Sequence, residues 1–118
     1  EMGMCANFIT RGEATLHMPF NDSMIRPGGT IAGPFMMALS DAAMYAVVLS
    51  VIGEMRLAVT TSFNINFLYR PLPANLLAEG RVLKTGKRLV VSDVTVLSEG
   101  QGEAVAHATG TYSIPPQQ

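Results

Sequence analysis

Two patterns of apolar and polar positions divide the chain. Between Gly33 and Gly53 it reads GPFMMALSDAAMYAVVLSVIG, with polar atoms confined to Ser40, Asp41, Tyr45 and Ser50. Pro34 suits the first helical position, where a missing N–H costs nothing, and Gly53 suits the left-handed residue after a last turn. Met, Ala and Leu in the first half are good helix formers. The stretch predicts one helix of roughly 28 Å, apolar on every side and therefore expected to be buried all round. From Leu57 to Tyr69 the period changes to two. Leu57, Val59, Thr61, Phe63, Ile65, Phe67 and Tyr69 share one face, and Ala58, Thr60, Ser62, Asn64, Asn66 and Leu68 share the other, as in a half-buried strand.

Shorter segments complete the plan. Met4 to Thr10 and Ala14 to Pro19 predict two strands around the turn Arg11-Gly12-Glu13, and Asn21 to Gly29 is a loop rich in turn formers. Leu76 to Lys84 and Leu89 to Leu97 predict strands joined at Thr85-Gly86-Lys87. Ala104 to Ser113 is the last strand, with Ala104, Ala106, Ala108 and Gly110 making a face small enough for a helix to press close. One long helix and five or six antiparallel strands constitute an α+β plan in which the sheet wraps the helix. A single domain over residues 1–118 is expected.

Composition narrows the classes of function. Hydrophobic residues make up 48% of the chain and charged residues 14%, which excludes disorder and implies much buried or subunit-facing surface. A net charge of −1 offers no pull toward nucleic acid or an anionic membrane. Cys5 is the only cysteine, so neither a disulfide framework nor a zinc spacing is present, and a reduced, cytoplasmic setting is expected. The long apolar stretch is long enough to span a membrane, but its central carboxylate and weak basic flanks argue against that use.

Asp41 is the residue on which chemistry is expected. A carboxylate amid apolar neighbours is costly unless something needs it, and Met37, Ala38, Met44 and Tyr45, three and four positions away, supply no cation. His17 and His107 sit in strands without a partner motif and read as packed or half-exposed strand residues. Met36, Met37 and Met44 read as core or pocket lining. Arg70, Arg81, Lys84, Lys87 and Arg88 gather five of the eight basic residues in one stretch, consistent with solvated hairpin ends or a phosphate-rich ligand.

In order and spacing these phrases resemble the hotdog-fold thioesterases of the phenylacetate-degradation (PaaI-like) type. That family carries an Asn-x-x-Gly-x-x-His-Gly-Gly loop running into a helix and a helical carboxylate eight residues on. A strand with a phrase like Asn-Ile-Asn-Phe-Leu-x-x-Pro follows, and then Gly-Arg/Lys before a further strand. The matching phrases are Gly29-Thr30-Ile31-Ala32-Gly33-Pro34, Ala38-Leu39-Ser40-Asp41-Ala42-Ala43, Asn64-Ile65-Asn66-Phe67-Leu68-Tyr69-Arg70-Pro71, Thr85-Gly86-Lys87-Arg88 and Ala106-His107-Ala108-Thr109-Gly110-Thr111-Tyr112. The resemblance implies a hotdog fold and acyl-CoA thioesterase activity, with CoA as part of the substrate and no separate cofactor or metal.

Carried over position by position, the resemblance makes Asp41 the base or nucleophile and the Gly33 N–H the donor that polarises the thioester carbonyl. Thr61 falls where some members hold water with a hydroxyl, and the alternation places it on the helix-facing side. Gly29 survives from the loop motif. Arg81, Lys84, Lys87 and Arg88 are the candidates for the CoA phosphates. The chain also departs from the motif: Ala32 stands for its His, Pro34 for its second Gly and Arg26 for its Asn. Arg26 is a candidate donor to the thioester or to an acidic acyl group. The departures leave a non-catalytic acyl-CoA binding or sensing protein as the alternative, whereas a hotdog hydratase would need a His beside Asp41.

Spacing adds a constraint of its own. Gly33 and Asp41 lie eight residues apart on one helix, roughly 12 Å along its axis. An oxyanion donor and a base must both come within about 3–3.5 Å of the reacting atoms. The expected assembly is therefore a homodimer, or a dimer of dimers, in which Gly33 of one subunit faces Asp41 of the other.

Overall fold

The computed structural model describes residues 4–21, 24–26, 29–31, 33–53 and 58–115, with the backbone alone at Ile25, Arg26 and Thr30. Ala32, Pro27, Gly28, Leu57 and the tail from Pro116 lie outside the described residues. The chain runs β1 (Cys5–Thr10), β2 (Glu13–Met18), β3 (Ile25–Arg26), β4 (Thr30–Ile31), α1 (Gly33–Ile52), β5 (Val59–Phe67), β6 (Leu76–Thr85), β7 (Leu89–Ser98) and β8 (Ala106–Ser113). Six strands form one antiparallel sheet in the order β1-β2-β6-β7-β8-β5, and β3 and β4 make a separate small hairpin. This is the expected α+β hotdog architecture: one long helix lying across an antiparallel sheet.

The helix packs chiefly against β6, β2 and β7. Met36, Leu39, Ser40, Ala43, Met44, Val47 and Val48 are its buried positions. They meet Leu16, Met18, Leu76, Ala78, Val90, Val94 and Val96 in one continuous core. Two glycines allow the close approach. A Cβ at Gly80 would stand 3.0 Å from Val47 Cγ2 and 3.4 Å from the Ala43 carbonyl oxygen, and one at Gly110 would land on the Met44 sulfur. The C-terminal end of the helix is tied to the first hairpin through Ser50. Its Oγ accepts from the Gly12 N–H at 2.9 Å and donates to the Val47 carbonyl at 2.6 Å.

Burial of the helix is one-sided, which corrects the expectation that it is enclosed all round. Pro34, Met37, Asp41 and Tyr45 are exposed, and their 3-4-4 spacing makes them one stripe. A sheet covers only one side of a helix, so an apolar sequence all round leaves an open apolar stripe in the single chain. Met37, expected to be core or pocket lining, is 41% exposed for this reason.

The expected face of β5 is corrected as well. A register shift between Thr60 and Ser62 inserts one extra residue opposite β8. Past the shift Phe63 and Ile65 turn toward the core, but before it Thr60, not Thr61, lies opposite buried Tyr112. Each bulge residue flips the side-chain parity of what precedes it. Strand β5 also lies at the sheet edge, and Val59 and Phe67 are exposed.

On the sheet face away from the helix, Asp93 is 7% exposed and accepts from Arg81 Nε at 3.0 Å, and its other oxygen lies 3.0 Å from His107 Nε2. Burial pushes its carboxyl up, but the hydrogen bonds from Arg81 and His107 outweigh that and hold it below the ordinary value of 3.8. His107 thus has a partner across the strands that its local sequence does not show.

Two stability measurements follow. Gly110→Ala overpacks the contact with Met44 and is expected to lower stability by about 1–3 kcal/mol. An unchanged urea midpoint would show that Met44 repacks freely. Asp93→Asn is expected to cost about 1–2 kcal/mol near neutral pH, moderated because Arg81 stays solvated. A depressed folded-state pKa gives stability that is present above the unfolded value and lost as pH falls through the folded one. The gap between wild type and Asp93→Asn should therefore close below about pH 3.8. A gap that stays constant into acid would show that the carboxylate's charge contributes nothing.

Candidate active site

The helix starts against the end of β5. A Cβ at Gly33 would lie 3.4 Å from the Phe67 ring, ordinary van der Waals contact, so the first turn abuts that aromatic. Just before it, the Ile31 N–H donates to the Pro71 carbonyl at 3.3 Å, which ties the entry to the loop after β5. Gly29 adopts φ +77° beside β4, a left-handed turn that glycine takes without strain. Arg26 pairs through its backbone with Thr30 in the β3–β4 hairpin, so the hairpin sets its position next to the helix start.

Eight residues into the helix, Asp41 stands on the exposed stripe rather than in a closed core. It is not isolated. Tyr112 on β8 is 2% exposed, pairs across the ladder with Thr60, and lies close enough to Asp41 to feel its charge. Its phenol is raised above the ordinary 10.0, first by burial and further by the Asp41 charge, while the Thr60 hydroxyl opposes the shift. Tyr45, one helical turn after Asp41, sets its ring 6.3 Å from that of Tyr112 at an interplanar angle of 35°. Asp41, Tyr45, Tyr112 and Thr60 therefore form one cluster drawn from α1, β8 and β5.

Sequence reasoning missed three of these four. The parity of Ala106, Ala108 and Gly110 already puts Tyr112 on the helix-facing side, and Tyr45 is four positions from Asp41. Thr60 had no such signal, because the bulge reverses the alternation. Thr61 is exposed and its Oγ1 donates to the Thr111 carbonyl at 3.1 Å, so its hydroxyl is directed to the backbone of β8.

The basic residues separate into two groups. Arg81 lies on the face away from the helix and is engaged by Asp93. Lys84, Lys87 and Arg88 are exposed around the β6–β7 turn. Val90 pairs with Tyr112 and Leu89 with Ser113, so this turn lies at the same end of the sheet as the Asp41 cluster. Among the described residues no group of three His, Cys, Asp or Glu side chains is placed to hold a metal ion.

Gly33 and Asp41 both belong to α1, so within one chain they remain separated along its axis. The arrangement supplies an exposed carboxylate near a buried phenol, a helix N-terminus whose free N–H groups favour developing negative charge, and an apolar stripe between them.

The chain as a whole is similar to several known proteins. A relative from Saccharolobus solfataricus, provisionally assigned as an esterase, is 32% identical over 107 residues, covering 90% of this chain and 69% of that protein. A provisionally assigned thioesterase from Silicibacter sp. TM1040 superposes with a TM-score of 0.87 at 41% identity, covering 96% of this chain and 79% of the other. A variant of the phenylacetic acid degradation protein PaaI from Thermus thermophilus gives a TM-score of 0.83 at 26% identity, covering 95% and 93%. The family model of the thioesterase superfamily matches residues 28–105, which include the helix and the Asp41 carboxylate. The chain, a PaaI-like hotdog protein, belongs to the thioesterase superfamily.

Proposed function

We propose that this chain is an acyl-CoA thioesterase that works as a homodimer, alone or paired into a dimer of dimers, with two equal sites between antiparallel helices. One observation carries the reading. Asp41 lies on an uncovered apolar stripe of the helix whose first residue is Gly33, too far along the axis for both to reach one carbonyl. A second copy satisfies both needs: it covers Met37 and Tyr45, and it brings its own Gly33 opposite Asp41. The exposed edge strand β5, with Phe67, Leu68 and Tyr69 half exposed at its end, supports contact on the same side.

In this reading the thioester carbonyl accepts from the Gly33 N–H at the positive end of the helix, which stabilises the developing oxyanion. Asp41 of the partner takes a proton from water as the water oxygen bonds to the carbonyl carbon. The carbon–sulfur bond then breaks and the proton passes to the thiolate, giving free acid and CoA. Direct attack by the Asp41 carboxylate, followed by hydrolysis of the resulting anhydride, gives the same products. Lys84, Lys87 and Arg88 are the cations offered to the CoA phosphates. Arg26 is the donor offered to the acyl group in the position where the family has Asn. Ala32 and Pro34, in place of the family's His and Gly, favour a second reading in which the protein binds acyl-CoA without hydrolysing it.

Sedimentation at micromolar concentration should give at least twice the 12.6 kDa chain mass. Met37→Glu, which puts a charge into the stripe, should reduce mass and turnover together. A monomer with full activity would end the shared-site reading. On a mixed acyl-CoA panel, Asp41→Asn should still bind substrate but turn over at least about 100-fold more slowly, the lower end of a general base's contribution. Near-normal turnover would remove Asp41 from the mechanism, and a wild type that binds without hydrolysing would establish the binding protein instead.

A further inference from the structure

We propose that Tyr112 is the positioning residue of Asp41: from the buried face of β8 its hydroxyl takes a hydrogen bond from Thr60 and gives one to the carboxylate. This rests on the reading of Asp41 as the working carboxylate, and it adds a supporting chain of hydroxyls that the thioesterase assignment does not contain.

Three features of the fold bring these groups together. The bulge in β5 turns Thr60, rather than Thr61, onto the side of Tyr112, and the two residues are paired across the ladder. Tyr112 is 2% exposed, so its ring is held by the core and cannot swing away from the helix. Tyr45 flanks the ring at 6.3 Å from the same helix face as Asp41. Asp41 and Tyr45 are the titratable groups that act on Tyr112 in this cluster.

The direction of donation follows from the chemistry. An ionised carboxylate only accepts, so the phenol must give its single proton to Asp41, and the Thr60 hydroxyl then donates to the phenol oxygen. Burial and the Asp41 charge both raise the Tyr112 phenol, so it stays protonated and remains a donor through the neutral range. A phenol has one proton to give, so it engages one carboxylate oxygen. The second oxygen is left for the open side of the helix, where water and the partner's thioester would meet it. Hydrogen-bonded chains of this kind strengthen each link. An exposed aspartate on a helix would otherwise sample several rotamers, and a misplaced reacting group is expensive in rate.

The test compares wild type, Asp41→Asn, Tyr112→Phe and Thr60→Val in steady-state turnover of the acyl-CoA panel, with carbon NMR of ring-labelled tyrosine alongside. Tyr112→Phe is expected to lower kcat by roughly 10- to 100-fold, the order expected from loss of alignment, with KM within about twofold. Thr60→Val should give a smaller kcat loss, again at unchanged KM. In Asp41→Asn the Tyr112 resonance should titrate at lower pH than in wild type, because the charge that raises the phenol is gone.

Wild-type kcat in Tyr112→Phe, alongside an inactive Asp41→Asn, overturns the positioning role alone. Wild-type kcat in Asp41→Asn overturns the reading of Asp41 itself. A Tyr112 titration indifferent to Asp41→Asn overturns the contact whatever the kinetics. If Tyr112→Phe does not fold, Thr60→Val decides: wild-type kcat there overturns the chain of hydroxyls.

Discussion

A straight helix cannot bring its first residue and a residue eight positions later to the same small group of atoms. Gly33 and Asp41 are held roughly 12 Å apart by the 1.5 Å rise of the backbone, and no side-chain rotation closes that interval. The remaining architecture is consistent with this constraint. The sheet covers one side of the helix and leaves the other open, the open side carries the carboxylate, and β5 is an edge strand of the sheet. Such a surface, a liability in a monomer, suits the shared site between two copies that we propose.

The closeness of helix and sheet depends on two glycines rather than on large interlocking side chains. At Gly80 and Gly110 the strands offer bare backbone, and Val47, Ala43 and Met44 of the helix occupy that space. The same proximity brings Tyr112, two residues beyond Gly110, under the helix at the level of Asp41 and Tyr45. Packing and site geometry are therefore one feature of the fold. The Tyr112 ring meets Tyr45 because the helix can approach β8.

Charge is segregated between the two faces of the sheet. On the face away from the helix, Asp93 is enclosed and compensated by Arg81 and His107, an arrangement that keeps it ionised and is satisfied within the chain. On the helix face, Asp41 lies near the Tyr112 phenol and makes no salt bridge to a cation among the described residues. Arg81, which falls in the same cluster of basic residues in the sequence as Lys84, Lys87 and Arg88, is paired within the chain.

Local patterning by itself determined the element plan. The apolar run closed by Pro34 and Gly53 marks the helix, period-two alternation marks the strands, and the small residues of the last strand mark the close contact. Order and spacing of the phrases around Gly29, Gly33, Asp41 and Asn64-Ile65-Asn66-Phe67 were enough for the family resemblance, because those signals are local. Only the tertiary structure decided what depends on two distant segments meeting. It showed that an apolar helix is covered on one side only, because burial is a property of neighbours and not of composition. It showed that Thr60 rather than Thr61 meets the cluster, because a single bulge reverses a strand's parity without any mark in the sequence. Arg81 is taken up by Asp93 on the next strand, which His107 of the last strand also engages, and Tyr45 meets Tyr112 of that last strand. No spacing rule along one element can contain such contacts.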